Sequence, residues 1–171
     1  MARMFLCCGM SGAGKTTFSK EFAENNDIEY LAPELFYERI NGDEKIRENK
    51  FLVWHTLFEK IHELEVNGKD CIIDTNALSY VDREQFLDWF PTFEHHLIFI
   101  DAPLELCIYN NNNRDRVIPE EEMFKLWEKF DLPDEYEDER WMTYTEILNE
   151  DNEFELYRIY IRINEELGKE K

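Results

Sequence analysis

The sequence of 171 residues has no apolar run close to the roughly 20 residues that a membrane-spanning helix needs. Its amino terminus also lacks the pattern of a signal peptide, because a glycine-rich motif begins as early as residue 9. The four cysteines lie in apolar segments without C-x-x-C spacing, which argues against a zinc site or a disulfide framework. We therefore expect a cytosolic protein that does not contact a membrane.

Positive charge is scarce, with 19 Lys and Arg against 39 Asp and Glu and a net charge of −20. The acidic excess is concentrated in residues 119–155, which contain 3 basic and 15 acidic residues. An acidic surface disfavours nonspecific attraction to a polyanion, so a nucleic-acid partner would need a local basic pocket. We interpret residues 131–139 as a solvated acidic turn.

The length and composition indicate one globular domain. A hydrophobic content of 43% and an aromatic content of 15% argue against disorder, although 34% of the residues are charged. A chain of this length can bury a substantial core, and no internal repeat or flexible linker is evident. We expect residues 1–171 to form a single domain.

Only six glycines are present, but three of them fall in one motif, Gly9-Met10-Ser11-Gly12-Ala13-Gly14-Lys15-Thr16. The spacing G-x-x-x-x-G-K-T lies between an apolar run and an amphipathic helix, the context in which a phosphate-binding loop occurs. Glycines let successive backbone N–H groups point at a polyphosphate, and the helix adds its positive end. The alternative is a glycine-rich turn that matches the motif by chance.

This motif predicts an ATP site in which each residue type has a distinct task. The Lys15 ammonium should reach the β- and γ-phosphates, the Thr16 hydroxyl should ligate Mg²⁺, and Thr17 should donate to the α-phosphate. We assign nucleotide binding to Gly9, Ser11, Gly12, Ala13, Gly14, Lys15, Thr16 and Thr17.

Apolar runs and amphipathic helices alternate along the chain, which predicts an α/β fold of three layers with a central, mainly parallel sheet flanked by helices. The predicted strands are 3–8, 28–31, 70–76, 96–101 and 142–148. The predicted helices include 15–26, 43–66, 79–90 and 119–130. Residues 157–163 have a β-rich pattern but could instead be helical.

Two acids follow predicted strands, at the carboxyl edge of the sheet where ligands of open α/β folds bind. Glu34 comes after the second strand and is either a substrate-facing acid or a residue that complements the dipole of a short helix. Asp74 ends the third strand and either holds Mg²⁺ together with Thr16 or caps the next turn.

An arginine pair, Arg114 and Arg116, lies in a turn before Pro119. A phosphotransferase needs a cation that closes over the transferring phosphoryl group, so we predict a helical lid around residues 104–130. The alternative is a solvated basic loop. We treat both arginines, with Lys15 and Glu34, as candidate catalytic residues.

Taken together, the motifs resemble the 5′-hydroxyl polynucleotide kinase group of P-loop kinases, especially the compact kinase domains encoded by phages. The resemblance covers about residues 3–130. It depends on the glycine-rich loop, Glu34, the block Ile73-Asp74-Thr75-Asn76 with Arg83 downstream, and the segment from Ile100-Asp101-Ala102-Pro103 to Ile118-Pro119. The chain departs from the family pattern at Glu34, where Asp is usual, and at Tyr37 and Asn110, where Arg is usual.

The resemblance implies transfer of the γ-phosphate of ATP to a hydroxyl, with Glu34 as the general base and Arg114 as the lid cation. It implies that the acceptor is the 5′-hydroxyl of a nucleic-acid end. A nucleoside, nucleotide or modified-base kinase would use the same chemistry and is the alternative. A nucleotide-dependent switch without phosphotransfer is a further alternative, although the N-K-x-D base reader of guanine-specific switches is not present.

Overall fold

Strands and helices alternate in the computed structural model, which describes residues 1–149 and the backbone of residues 158–163. The strands are β1 (Arg3–Cys8), β2 (Glu29–Leu31), β3 (Cys71–Asp74), β4 (Glu94–Asp101), β5 (Trp141–Leu148) and β6 (Arg158–Ile163). The helices are α1 (Lys15–Asn26), α2 (Pro33–Asn41), α3 (Lys50–Val66), α4 (Tyr80–Trp89), α5 (Leu104–Asn112) and α6 (Glu120–Glu128).

The strands form one sheet in the order β2-β3-β1-β4-β5-β6. The first five strands are mutually parallel, and β6 pairs antiparallel with β5. The predicted mainly parallel α/β fold is therefore confirmed, and residues 158–163 are strand rather than helix. Because β1 has β3 on one side and β4 on the other, the strand order reverses at β1, and ligands of such sheets bind at that point.

Helices cover the sheet through two apolar clusters, as a parallel sheet requires. One cluster lies between the sheet and the helices α3 and α4, and it includes Leu57, Ile61 and Phe86. The other includes Cys107 of α5 and Met123 of α6. None of the helices in the described part of the chain is both long and apolar enough to cross a bilayer.

The predicted helix 43–66 begins later than expected, at Lys50. The Asn41 side chain donates to the carbonyls of Ile46 and Glu48, at 2.8 and 3.0 Å, and these bonds hold the preceding residues in a loop. Asn49 adopts a left-handed conformation with φ 54°, which separates that loop from the helix. Residues 43–49 continue the apolar period of the helix but are not helical. The Asn41 side-chain amide competes with helical N–H groups for the carbonyls of Ile46 and Glu48.

The acidic segment 131–139 is not simply a solvated turn. Glu137 accepts from Arg83 Nε at 2.7 Å, and the Arg83 side chain is fully buried. Arg83 Nη1 also donates to the carbonyl of Ala77 at 2.9 Å. Arg83 therefore connects the acidic segment with α4 and with the loop between β3 and α4. Glu137 supplies the partner that the buried charge of Arg83 requires.

Candidate active site

The glycine-rich loop connects β1 to α1 and passes close to the backbone of neighbouring elements. Gly9 and Gly12 have φ of 142° and 86°. A Cβ on Gly9 would lie 2.5 Å from the Ile100 carbonyl oxygen, and one on Gly12 would lie 2.3 Å from that of Cys107. Glycine is therefore required at both positions by space as well as by conformation.

We expect Gly12→Ala to lower the free energy of unfolding by more than the roughly 1–3 kcal/mol that a left-handed residue alone costs. Gly42→Ala is the matched control, because Gly42 has a similar φ of 81° but open space where the Cβ would lie. Urea unfolding of both variants checks this expectation. An equal decrease in the free energy of unfolding for both variants would mean that the close approach of Cys107 in α5 does not require glycine at position 12.

Lys15 is buried at the first position of α1, and its ammonium lies over the loop. Its Nζ donates to the carbonyls of Gly9 and Met10, both at 2.8 Å. An ammonium retains a third N–H and its full charge in this position. The predicted phosphate-binding lysine is thus held against the same backbone that would surround a polyphosphate.

Two asparagines from distant parts of the chain brace the loop from outside. Asn110 Nδ2 donates to the Gly12 carbonyl and Asn149 Nδ2 to the Ala13 carbonyl, each at 2.9 Å. Asn110 is one of the positions where the chain departs from the polynucleotide kinase pattern. Asn149 follows β5 and was missed by the sequence reasoning, because no local pattern connects it with a loop 136 residues earlier.

Asp74 lies at the carboxyl end of β3 and is 4% exposed. Its Oδ2 accepts from the Thr16 hydroxyl at 2.6 Å and from the Tyr30 hydroxyl at 3.0 Å. Burial raises the pKa of this carboxyl, although the nearby Lys15 charge and both hydroxyls oppose the shift. No sequence pattern marks Tyr30 as a site residue, and its own pKa is raised by burial and by the charge of Asp74.

The oxygen atoms of Thr16 and Asp74 fit Mg²⁺, which favours a few hard oxygen ligands together with phosphate and water. The bonds that Asp74 accepts come from side-chain hydroxyls, and the start of α4 is capped by Ser79 and Asp82. Among the described residues, no group of three or more His, Cys, Asp and Glu side chains comes together as a metal site.

Glu34 lies in the first turn of α2, and two arginines contact the same carboxylate oxygen. Arg47 Nη2 is 2.9 Å from Oε1 and Arg116 Nη1 is 3.6 Å from it. The Arg47 guanidinium also stacks over the Tyr37 ring at 4.2 Å. The sequence did not indicate Arg47 as a site residue. Residues 43–66 were predicted to form one helix, whereas Arg47 lies in a loop that brings it to Glu34.

Arg114 donates through Nη2 to Asn111 Oδ1 at 2.7 Å. Burial lowers the pKa of its guanidinium. The Nε atoms of Arg114 and Arg47 are both buried without a hydrogen-bond partner among the residues described. Because an orphaned buried donor costs about 1–3 kcal/mol, an anionic group that accepted from these atoms would be favoured.

These side chains line one cleft of about 1460 Å³ at the carboxyl edge of the sheet. It includes Glu34, Asp74, Arg114, Arg116 and every predicted loop residue except Gly9 and Ala13, which lie in the buried part of the loop. The cleft reverses the charge balance of the chain. Six basic side chains line it, Lys15, Arg47, Lys50, Arg114, Arg116 and Lys129, against three acidic ones, Glu34, Asp74 and Asp82.

Sequence comparison connects this architecture with a known family. The sequence model described as an AAA domain matches residues 4–133, which is well over half of the chain and includes every predicted site residue. The chain belongs to this AAA domain family. A curated relative, the L-seryl-tRNA(Sec) kinase of Methanococcus maripaludis, is 29% identical over 141 residues. The match covers 76% of this chain but 53% of the relative, so the chain spans about half of that protein's length.

Solved structures of several kinases share the fold of this AAA domain. A gluconokinase from Sinorhizobium meliloti has a TM-score of 0.62 at 12% identity, covering 85% of this chain and 82% of its own. The Pnkp1/Rnl/Hen1 RNA repair complex has a chain with a TM-score of 0.68 at 15% identity, covering 75% and 43%. A shikimate kinase from Acinetobacter baumannii gives 0.55 at 22%, covering 90% and 86%. At these identities the likeness is one of fold, and the predicted P-loop kinase is confirmed at the level of family and fold.

Proposed function

We propose that this domain is an ATP-dependent phosphotransferase that moves the γ-phosphate of ATP to a hydroxyl at the end of a nucleic acid, in the first place a 5′-hydroxyl. The observation that carries the proposal is the positive lining of the cleft. Six cations line it against three acids, in a chain with 19 basic and 39 acidic residues. A local basic pocket is what a polyanionic donor and a polyanionic acceptor require on an otherwise acidic protein.

On the donor side, the loop amides and the start of α1 would hold the phosphates of ATP. Lys15 would exchange its bonds to the loop carbonyls for the β- and γ-phosphate oxygens, and Thr17 would donate to the α-phosphate. Mg²⁺ held by the oxygens of Thr16 and Asp74 would neutralise negative charge on the transferring group.

On the acceptor side, Glu34 would take the proton of the attacking hydroxyl. As the hydroxyl oxygen forms its bond to the γ-phosphorus, the bond to the β–γ bridging oxygen breaks and ADP leaves. Arg47 and Arg116 contact the same oxygen of Glu34, so they would fix the orientation of the carboxylate before the acceptor arrives.

We extend the proposal to the lid. Arg114 lies between α5 and α6. Its buried Nε has no hydrogen-bond partner among the described residues, and an anionic oxygen would supply one. Closure of residues 104–130 would bring this guanidinium to the transferring phosphoryl group, where it would stabilise the developing charge and exclude water.

Two of the compared proteins support a nucleic-acid acceptor. One phosphorylates L-seryl-tRNA(Sec) by its name, and the other belongs to an RNA repair complex. A free nucleoside or nucleotide is the second candidate, because the net charge of −20 disfavours a long nucleic-acid footprint outside the cleft.

A panel of acceptors with γ-labelled ATP tests the proposal. The panel contains RNA and DNA oligonucleotides with a 5′-hydroxyl, the same oligonucleotides with a 5′-phosphate, a seryl-tRNA and free nucleosides. We expect label on the 5′-hydroxyl oligonucleotides and none on their phosphorylated counterparts. Label confined to the nucleosides would contradict the nucleic-acid acceptor, and label on no acceptor would contradict phosphotransfer.

A further inference from the structure

We propose that Trp54, Phe58 and Trp89, here called the aromatic wall, form a stacking site for a base of the acceptor. The inference rests on the proposed function, because it assigns the part of the acceptor that the same cleft would recognise. It adds a requirement that phosphotransfer alone does not make: the acceptor must carry a base near its reacting hydroxyl.

The aromatic wall is one connected group of rings on α3 and α4. The ring centroids of Trp54 and Phe58 lie 5.6 Å apart, and those of Phe58 and Trp89 lie 4.9 Å apart at an interplanar angle of 76°. Phe58 also contacts the core rings Phe86 and Phe90. The group is therefore anchored from behind by the core and held in a defined geometry.

The wall remains open to solvent inside the cleft. All three rings line it, and Trp89 is 51% exposed. An indole exposed to this extent within a concave site leaves apolar surface in contact with water, and a flat ligand that stacked on it would bury that surface. Since Glu34 on α2 lines the same cleft and α2 packs against α3, the wall belongs to the acceptor part of the cleft.

Positive charges that line the same cleft indicate which kind of flat ligand would bind to the wall. Lys50 and Lys129 line the cleft and have no ion-pair partner within residues 1–149, and Arg47 has the unpartnered Nε described above. Aromatic faces next to free cations are the combination that binds single-stranded nucleic acid, in which bases stack while phosphates meet the cations. An apolar peptide would leave the charges of Lys50 and Lys129 and the Nε of Arg47 without a partner, so these groups favour a nucleotide.

The test compares two acceptors that differ only in the bases at their 5′ end. Both are 5′-hydroxyl oligonucleotides of the same sequence, and the second lacks the bases of its first two nucleotides. We expect the abasic acceptor to have a KM about tenfold higher or more with the wild-type protein. Trp89→Ala should raise the KM of the normal acceptor by a similar factor, leave that of the abasic acceptor unchanged, and leave the KM of ATP unchanged.

Phe51→Ala is the matched control, because Phe51 lies on α3 and is 85% exposed but does not line the cleft. It should change neither KM. Trp89→Phe keeps a ring and should recover most of the affinity that Trp89→Ala loses. Fluorescence anisotropy of both oligonucleotides, measured without turnover, gives the same comparison if a variant is inactive.

The outcomes separate the two proposals. Equal KM values for the two acceptors with the wild type would overturn base stacking and leave phosphotransfer intact. An equal rise for both acceptors in Trp89→Ala would also overturn it, since the wall would then support the fold or bind some other group. A wild-type protein that phosphorylates nucleosides but no oligonucleotide would instead overturn the nucleic-acid acceptor.

Discussion

Lys15→Ala should lower kcat by about 10³-fold with every acceptor, because it removes the cation that we propose binds the β- and γ-phosphates. The Lys15 ammonium already lies on the loop, bonded to the carbonyls of Gly9 and Met10. No other basic side chain is part of the loop, so its charge has no local replacement. Steady-state phosphotransfer from labelled ATP measures the loss.

Lys20→Ala controls for the general effect of removing a lysine from α1. Lys20 is exposed on the same helix, and its ammonium lies 5.7 Å from the Tyr30 ring centroid rather than on the loop. Its kcat should stay within about twofold of the wild type, as expected for an exposed charge that does not line the cleft. Retained activity in folded Lys15→Ala would contradict the assigned role of this residue.

Glu34→Gln should lower kcat by about 10²-fold or more while the KM of ATP changes little. Glutamine has nearly the same shape but cannot accept a proton from the attacking hydroxyl. It also removes the negative charge between Arg47 and Arg116, which lie 2.9 and 3.6 Å from Oε1. Measurement of kcat and of both KM values separates lost chemistry from lost binding.

Glu38→Gln is the matched control for this substitution, because Glu38 is an exposed carboxylate one turn further along α2. It should behave as the wild type in both constants. A Glu34→Gln protein that turned over every accepted substrate at the wild-type rate would show that this carboxylate is not the base, and that its ion pairs serve the structure of α2 alone.

Features encoded by local patterns were predictable from the sequence. The glycine-rich loop, the start of α1 at Lys15 and the acids after β2 and β3 each depend on a few neighbouring residues, and the structure brings them into one cleft. Their convergence follows from the parallel sheet, since the carboxyl ends of its strands share an edge.

The partners of these residues were not predictable, because they come from distant parts of the chain. Tyr30 meets Asp74 across 44 residues, Glu137 meets Arg83 across 54, and Asn149 meets Ala13 across 136. Arg47 was hidden for a different reason: the apolar period of α3 continues into a loop that Asn41 holds out of the helix. Hydrophobic periodicity contains no information on such side-chain bonds.

Equilibrium dialysis of the protein with labelled ATP and Mg²⁺ tests the central proposal most directly, because every later step requires a bound triphosphate. We expect saturable binding of one ATP per chain, with affinity lost in Lys15→Ala and kept in Lys20→Ala. Absence of saturable binding of ATP, or equal binding by Lys15→Ala and the wild type, would contradict the proposal that the loop between β1 and α1 holds the phosphates.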